Sequence, residues 1–582
     1  MDNRLLYRRG EDKKGRNAVT NQYAYYPDGT LKEAEGGGIT YHYEYTKTGS
    51  LKRKLADGQP LLTYGYDKNG NLTELVNGET GTTTYRYDLW NRIRKVQAGR
   101  LTADYSYTSA GQLESITYGN GVKTACRYLD DGQLGSLVSV TGDGKVLLNY
   151  DYAYDGNGNC IKKSGDRYQN EYSYDPMNRL REAAYDGRQE WYSYDRVGNR
   201  LKKGSQEKEE TYYYNQKNQL TRFERENDFI TYLYDQQGNL QEEKGQGQTR
   251  NYRYDCLNRQ SSVETGIFHQ ENRYDGENMR YETVENHKVV RFLYDHGELV
   301  REETGRQRRD YLRGYDVIGA QSEEEWSYYV QDERKSTLFL LDARQHIQKS
   351  YQYDAFGGIL KESGDIQNRI MYTGQMYDGA LGQYYLRARY YNPVLGRFTQ
   401  EDVYRGDGLN LYAYCQSNPV KYYDPSGYKA KTGINMCPNY GTPNKLYDEN
   451  GVRIPYGFDS VEDYNRFITE MKQQLPEGTE IYFQGSSVTG RGHKTGLPFD
   501  YNRTSDFDIA LVNDELFIVG LDSGFRVKTN PNRMGPLDTE QLATLGLSDL
   551  QTSLSVLSGR DVHFMFFDSV SEALRRPSIP VY

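Results

Sequence analysis

Between Tyr23 and Tyr428 the apolar positions fall in short alternating runs, each closed by a turn, and the pattern recurs at a nearly fixed interval. Tyr-Asp pairs stand at Tyr154, Tyr174, Tyr194, Tyr234, Tyr254, Tyr274 and Tyr294 on a 20-residue spacing, with Tyr214-Asn215 filling the remaining step. Tyr66, Tyr87, Tyr107 and Tyr128 carry a spacing of 20 or 21 upstream. In the unit Tyr192-Ser193-Tyr194-Asp195-Arg196-Val197-Gly198-Asn199-Arg200-Leu201, two-residue alternation places Tyr192 and Tyr194 on one strand face. Asp195 to Asn199 suits a turn, because Gly and Asn accept positive φ and Asp can bond the backbone. The polar stretch that follows returns as the next strand. Such a period predicts stacked strand-and-turn units burying a shared face.

After Asp424-Pro425-Ser426-Gly427-Tyr428 the pattern stops, and 154 residues of different texture follow. Residues 429 to 455 contain Pro438, Pro443 and Pro455 and read as a linker. Val461, Tyr464, Ile468, Met471 and Leu475 then recur at helical spacing behind a Ser460 cap, until Pro476 and Gly478 stop the helix. Glu480 to Gln484 reads as a strand ending at Gly485-Ser486-Ser487, and Ser505 to Val512 reads as another. Along that second strand Asp506, Asp508 and Ala510 face one way, Phe507, Ile509 and Leu511 the other. Leu547, Leu550, Leu554 and Leu557 mark a helix closed by Gly559. A strand from Asp561 to Phe567 follows, burying Val562, Phe564 and Phe566 and leaving Asp561 and His563 opposite. Two adjacent carboxylates repel one another unless a divalent cation separates them, and Mg²⁺ prefers carboxylate and phosphate oxygens. Asp506, Asp508 and Asp561 are therefore candidate metal ligands, and His563 is a packed or supporting side chain. Gly485 to Gly490 mimics a phosphate loop, but Arg491-Gly492 stands where that loop needs Lys-Ser/Thr.

Composition supports a long β-array: 59 Tyr and 59 Gly accompany only 17 Phe, 3 Trp and 15 Pro. Tyrosine packs its ring in half-buried strands while its hydroxyl stays wet. The mean hydropathy of -0.93 alone would suggest disorder, which the regular aromatic spacing overrides. A net charge of -9 gives no basic field for nucleic acid, and residues 429 to 582 hold 15 Lys and Arg against 20 Asp and Glu. The five cysteines are far apart and frame neither a disulfide scaffold nor a zinc site. Neither an apolar signal region nor an 18-residue apolar run is present in the sequence.

The Tyr-Asp array resembles the YD/Rhs repeat proteins. Tyr372-Thr373-Gly374-Gln375, then Tyr384-Tyr385-Leu386-Arg387-Ala388-Arg389-Tyr390-Tyr391-Asn392-Pro393, resembles their Rhs-associated core. That likeness continues through Gly396-Arg397-Phe398, Asp402, Leu409-Asn410-Leu411-Tyr412 and Asn418-Pro419 to Asp424-Pro425-Ser426-Gly427. It implies a hollow β-cocoon enclosing a variable C-terminal toxin, and a self-cleaving aspartyl pair, Asp402 and Asp424, cutting after Tyr428. Tyr428 stands where the family usually has Leu, and Val403 where it has Pro. The array is shorter than a closed cocoon of the family generally needs, which implies a further N-terminal portion or an additional shell chain.

The order strand, Gly-Ser, Asp-x-Asp strand, helix, Asp strand resembles the DNA polymerase β-type nucleotidyltransferase superfamily. It implies Mg²⁺ or Mn²⁺ on Asp506, Asp508 and Asp561, an NTP such as ATP or CTP, and phosphate contacts from Gly485, Ser486 and Ser487. Arg491 and Lys494, in a gap longer than the family's usual one, are further candidates for phosphate.

The expected fold is a mainly β shell followed by a small α/β (α+β) nucleotidyltransferase-like domain. The boundaries are a repeat shell over 1–345, the Rhs core over 346–428, a linker over 429–458 and a toxin over 459–582. The expected function is that of a polymorphic toxin, secreted or delivered at the cell surface, modifying RNA or protein in a target-cell cytoplasm. Its expected partners are an immunity protein, delivery machinery and a target tRNA or protein, and no membrane segment is expected. The alternatives are a metal-dependent nuclease on the same acids, and a carbohydrate- or surface-binding protein with an inert tail.

Overall fold

The computed structural model describes residues 7–10, 19–78, 81–165, 168–185, 187–206, 208–322, 325–403, 409–432, 454–458, 461–489, 506–528, 532–575 and 578–581. They divide into two compact units, one of Tyr7–Tyr23 and Glu33–Pro438, the other chiefly Asn439–Tyr582 with Ala24–Lys32.

The first unit is built on a 35-stranded antiparallel sheet in which consecutive strands pair. The unit around Tyr194 shows why the sequence folds this way. Arg188–Tyr194 pairs with Arg200–Ser205, with a bulge between Ser193 and Tyr194. Asp195 then accepts the Val197 and Asn199 amides at 3.0 and 2.8 Å, while Gly198 turns at φ +86°. The bulge frees the Tyr194 hydroxyl to donate to Leu180 O, 2.9 Å away and 14 residues upstream. Tyr174, Tyr214, Tyr274 and Tyr294 bond Cys160, Arg200, Gln260 and Arg280 carbonyls in the same way. The repeated tyrosine is thus a staple between neighbouring units. Asparagines join successive turns, Asn159 to Asn178 and Asn199 to Asn218.

The array also meets itself across its interior. Tyr64 donates to Asp295, Asn77 to Asp310, and Tyr152 to Glu333, partners 181 to 233 residues apart. Two large cores of Leu, Val and Tyr follow from this return. Residues 376 to 398 form a separate four-stranded sheet whose Tyr384, Tyr391 and Phe398 pack with Tyr372 and Tyr414. Asn410 and Asn418 of the core motif donate to Asn199 and Asn159, so the core docks on the rim of repeat turns.

The second unit holds a six-stranded mixed sheet in the order Val527–Lys528, Arg533–Met534, Val562–Phe567, Phe507–Val512, Glu480–Gln484, Ile579–Pro580. The helices Val461–Gln474 and Ser548–Ser558 lie with Ile481, Phe483, Ile509 and Leu511 in one core. Gly559 closes the second helix at φ +62°, but Leu557, expected in the core with its neighbours, is 40% exposed. The opposite sheet face is also partly buried, by Tyr482, Ala510, Met565, Phe567 and Ala573. The one-sided burial expected for the Asp561–Phe567 strand is therefore incomplete, because the short Val570–Ala573 helix covers its far end. Ser460, and most of the expected linker, lie outside the described residues. Among the described residues, no helix is long and apolar enough to cross a membrane.

Candidate functional site

Asp424-Pro425-Ser426-Gly427 folds as a turn closed by its first side chain. Asp424 Oδ1 accepts the amides of Ser426 and Gly427 at 3.0 and 2.8 Å. Gly427 sits at φ +76°, where an added Cβ would stand 2.6 Å from Leu386 O, so only glycine fits. Tyr422–Tyr423 pairs with Lys431–Thr432, which places the Tyr428–Lys429 bond in the intervening loop. Asp402 comes from a separate segment, fixed by its own amide on Leu411 O at 3.0 Å. Both carboxylates are buried, Asp402 at 5% and Asp424 at 2% exposure.

Arg389 joins them. Its Nη2 is 2.7 Å from Asp402 and 3.9 Å from Asp424, its Nη1 donates to Leu411 O at 3.0 Å, and its Nε donates to Gly427 O. The guanidinium stacks on Phe398, 3.7 Å from the ring centroid. The sequence marks Arg389 only as one of two cations, with Arg387, in an otherwise aromatic run. The aspartates predicted as a pair thus share one arginine beside the predicted cleavage point.

In the second unit the strand register places the predicted acids. Phe507 pairs in parallel with Val562 and Asp508 with His563, and the Phe507 amide donates to Asp561 O at 2.8 Å, so Asp506 and Asp561 lie at the same end of the two strands. His563 Nδ1 lies 3.8 Å from Asp506. Gln484 pairs with Asp508 across the antiparallel neighbour, and Gly485 turns away at φ +71°. A Cβ on Gly485 would stand 2.4 Å from Asp508 Oδ2, so the glycine lets backbone approach the carboxylate. Gln484 is fully buried, and among the described residues its Oε1 has no hydrogen-bond partner. Ser487, a predicted phosphate ligand, turns inward instead: it is fully buried and donates to Gln484 O at 2.9 Å, as the Ser486–Thr489 helix begins. Among the described residues no three His, Cys, Asp or Glu are gathered closely enough to hold a metal ion. Arg491 and Lys494 lie outside the described residues.

The Teneurin YD-shell family model matches residues 54–162, 131–255 and 158–432. This chain belongs to the YD-shell family. It is 30% identical over 415 residues to the tRNA3(Ser)-specific nuclease WapA of Bacillus spizizenii, covering 67% of this chain and 16% of that protein. It is 32% identical over 111 residues to toxin protein Tse5 of Pseudomonas aeruginosa, covering 19% of this chain and 8% of that one. The TcdB2-TccC3 crystal structure without its hypervariable C-terminal region aligns with TM-score 0.43 at 16% identity, over 70% of this chain and 27% of that one. The YD-shell chain thus spans less than two thirds of the length of each of these relatives.

Proposed function

We propose that this YD-shell chain is an Rhs-type toxin carrier that frees the segment beginning at Lys429 by hydrolysing the Tyr428–Lys429 bond. The carrying observation is the Asp402–Arg389–Asp424 cluster, with Arg389 also holding the Gly427 carbonyl. One carboxylate takes a proton from water as its oxygen attacks the Tyr428 carbonyl carbon, and its partner passes a proton to the Lys429 nitrogen as the C–N bond breaks. The products are a Tyr428 carboxylate and a Lys429 amine.

The released segment is proposed to be a nucleotidyltransferase acting on tRNA ends or protein hydroxyls with ATP or CTP. Asp506, Asp508 and Asp561 offer hard oxygen donors at one end of the paired Phe507–Val512 and Val562–Phe567 strands, and the Gly485 backbone meets Asp508. The three acids do not close into a metal site by themselves, so Mg²⁺ or Mn²⁺ would need phosphate oxygens of a bound nucleotide to complete its shell, and when bound it would neutralise phosphate charge. Gly485 and Ser486 supply backbone at the phosphate side. Metal-dependent hydrolysis of tRNA by the same acids is the second reading, favoured by the WapA relatives, which are named as tRNA nucleases. The similarity to toxin protein Tse5 supports the toxin-carrier reading, for which an immunity partner, delivery machinery and a target in the recipient cell are proposed.

The test is to incubate the chain with tRNA, Mg²⁺ and labelled ATP or CTP. Label on RNA or protein that disappears in Asp506→Asn/Asp508→Asn supports transfer, and shortened RNA supports the nuclease. Neither product from the wild type, or label unchanged in the variant, overturns the enzymatic reading.

A further inference from the structure

Three consecutive residues grip three consecutive carbonyls of the turn before the Tyr428–Lys429 bond. The Arg387 side chain donates from Nη1 to Pro425 O, the Ala388 amide to Ser426 O at 3.1 Å, and the Arg389 side chain to Gly427 O. Arg389 belongs to the carboxylate cluster, but Arg387 does not. Its other donors reach into the repeat shell: Nε to Gly297 O at 2.6 Å and Nη2 to Glu298 Oε1 at 2.6 Å, 90 and 89 residues away in sequence. Nη1 also meets Gln375 Oε1 at 2.9 Å. Glu298 is held in turn by Arg313 Nη1 at 2.7 Å. To aim its fork this way Arg387 adopts φ +64°, a left-handed conformation that costs a non-glycine residue energy. A planar five-donor fork ties a carboxylate and carbonyls from separate segments at once in a fixed geometry, which the three donors of a lysine reproduce only in part.

We infer that Arg387 is a positioning residue for bond cleavage, coupling the cleavage turn to the Gly297–Glu298 turn of the repeat shell. The inference rests on the proposed hydrolysis at Tyr428–Lys429. Arg387 sets where the Tyr428 carbonyl lies relative to Asp402 and Asp424, and does so only when the shell has placed Gly297 and Glu298. Cleavage is thereby conditional on a folded shell. Arg387 carries no proton in the reaction, so its loss changes the rate and not the pH dependence.

The test follows the full chain by intact mass during cell-free synthesis, timing the appearance of the fragment that starts at Lys429. Arg387→Gln is expected to slow cleavage on the order of tenfold to a hundredfold, the scale of a small misplacement of reacting groups. Its pH–rate profile should keep the wild-type shape, and amide exchange at Ser426 to Tyr428 should quicken. Arg387→Lys should restore part of the rate, and Glu298→Gln, which leaves the cleavage turn untouched, should slow it in the same sense. Wild-type cleavage rates in both Arg387→Gln and Glu298→Gln overturn the inference and leave the hydrolysis standing. A pH profile that moves with Arg387→Gln overturns the positioning role. A wild-type chain that never cleaves, indistinguishable from Asp402→Asn, overturns the hydrolysis and this inference with it.

Discussion

Arg389 and Asp402 form a 2.7 Å ion pair in which both side chains are almost wholly buried, and Arg389 reaches Asp424 from the same nitrogen at 3.9 Å. The two buried carboxylates meet one guanidinium, which supplies the positive charge that their burial would otherwise leave unmatched. That match also makes each member costly to remove. Arg389→Gln leaves two buried acids uncompensated, so the shell should lose about 3–5 kcal/mol in urea unfolding and release no Lys429 fragment. Asp402→Asn and Asp424→Asn should each abolish the fragment while the chain stays folded. A Lys429 fragment from Asp402→Asn at the wild-type rate rules out the aspartyl pair.

The repeated tyrosine makes a second prediction. Tyr194 and Tyr214 each donate one hydroxyl bond to the preceding unit, at 2.9 and 2.8 Å. Removing the hydroxyl alone should cost about 1 kcal/mol per site, and the Tyr194→Phe/Tyr214→Phe double variant should cost nearly the sum. Leu220→Ala, at a site with no exposure, should cost about 2–5 kcal/mol by opening a cavity. Urea midpoints decide it: tyrosine variants equal to wild type would show that these hydroxyls do not staple the array.

This contrast marks what the chain discloses in one dimension. The Tyr194 strand, its Asp195 turn and the Asn199 closure interact within a few residues, so a fixed period reveals them. Where the array meets itself, nothing local marks the partner: Tyr152 finds Glu333 and Lys54 finds Glu277 across 181 and 223 residues. Asp402, Asp424 and Arg389 all stand in the core motif, but the role of Arg389 rests on a Gly427 carbonyl 38 residues away, which no local pattern marks. In the second unit, alternation placed Asp506 and Asp508 on one face but could not show that Ser487 spends its hydroxyl on Gln484 O. That bond depends on how the backbone turns at Gly485, which side-chain pattern does not encode.

Asp275 gives a pH prediction. It is 1% exposed, and burial first, then repulsion from Glu277, pushes its carboxyl up to about 7. Lys54, 2.6 Å from Glu277, and the Met279 amide, 2.8 Å from Asp275 Oδ1, pull it down, while Tyr41 and Tyr281 face the same acids. An unfolded Asp titrates near 3.9, so the folded chain holds this proton more tightly. Its contribution to stability is complete below about pH 4 and is lost as pH rises through about 7. Asp275→Asn should match wild type near pH 4 and gain on it steadily toward pH 8, read as a widening gap in urea midpoint. A gap that stays flat or narrows would mean Asp275 is ionised in the folded chain throughout.

Gly485 and Gly478 separate backbone strain from chemistry in the second unit. Both sit at positive φ, +71° and +83°, where alanine costs about 1–2 kcal/mol. Around Gly478 an added Cβ meets nothing within 4 Å among the described residues, whereas at Gly485 it stands 2.4 Å from Asp508 Oδ2. Gly478→Ala should therefore lower stability by that strain alone and leave label transfer from ATP or CTP near wild type. Gly485→Ala should pay the same strain and also displace the Asp508 carboxylate, lowering transfer by about tenfold or more for a shift approaching 1 Å. Amide exchange in the Glu480–Gln484 strand measures the strain in both variants, and initial transfer rates measure the displacement. Equal transfer rates in the two variants, at equal exchange protection, would show that Asp508 does not act where Gly485 meets it.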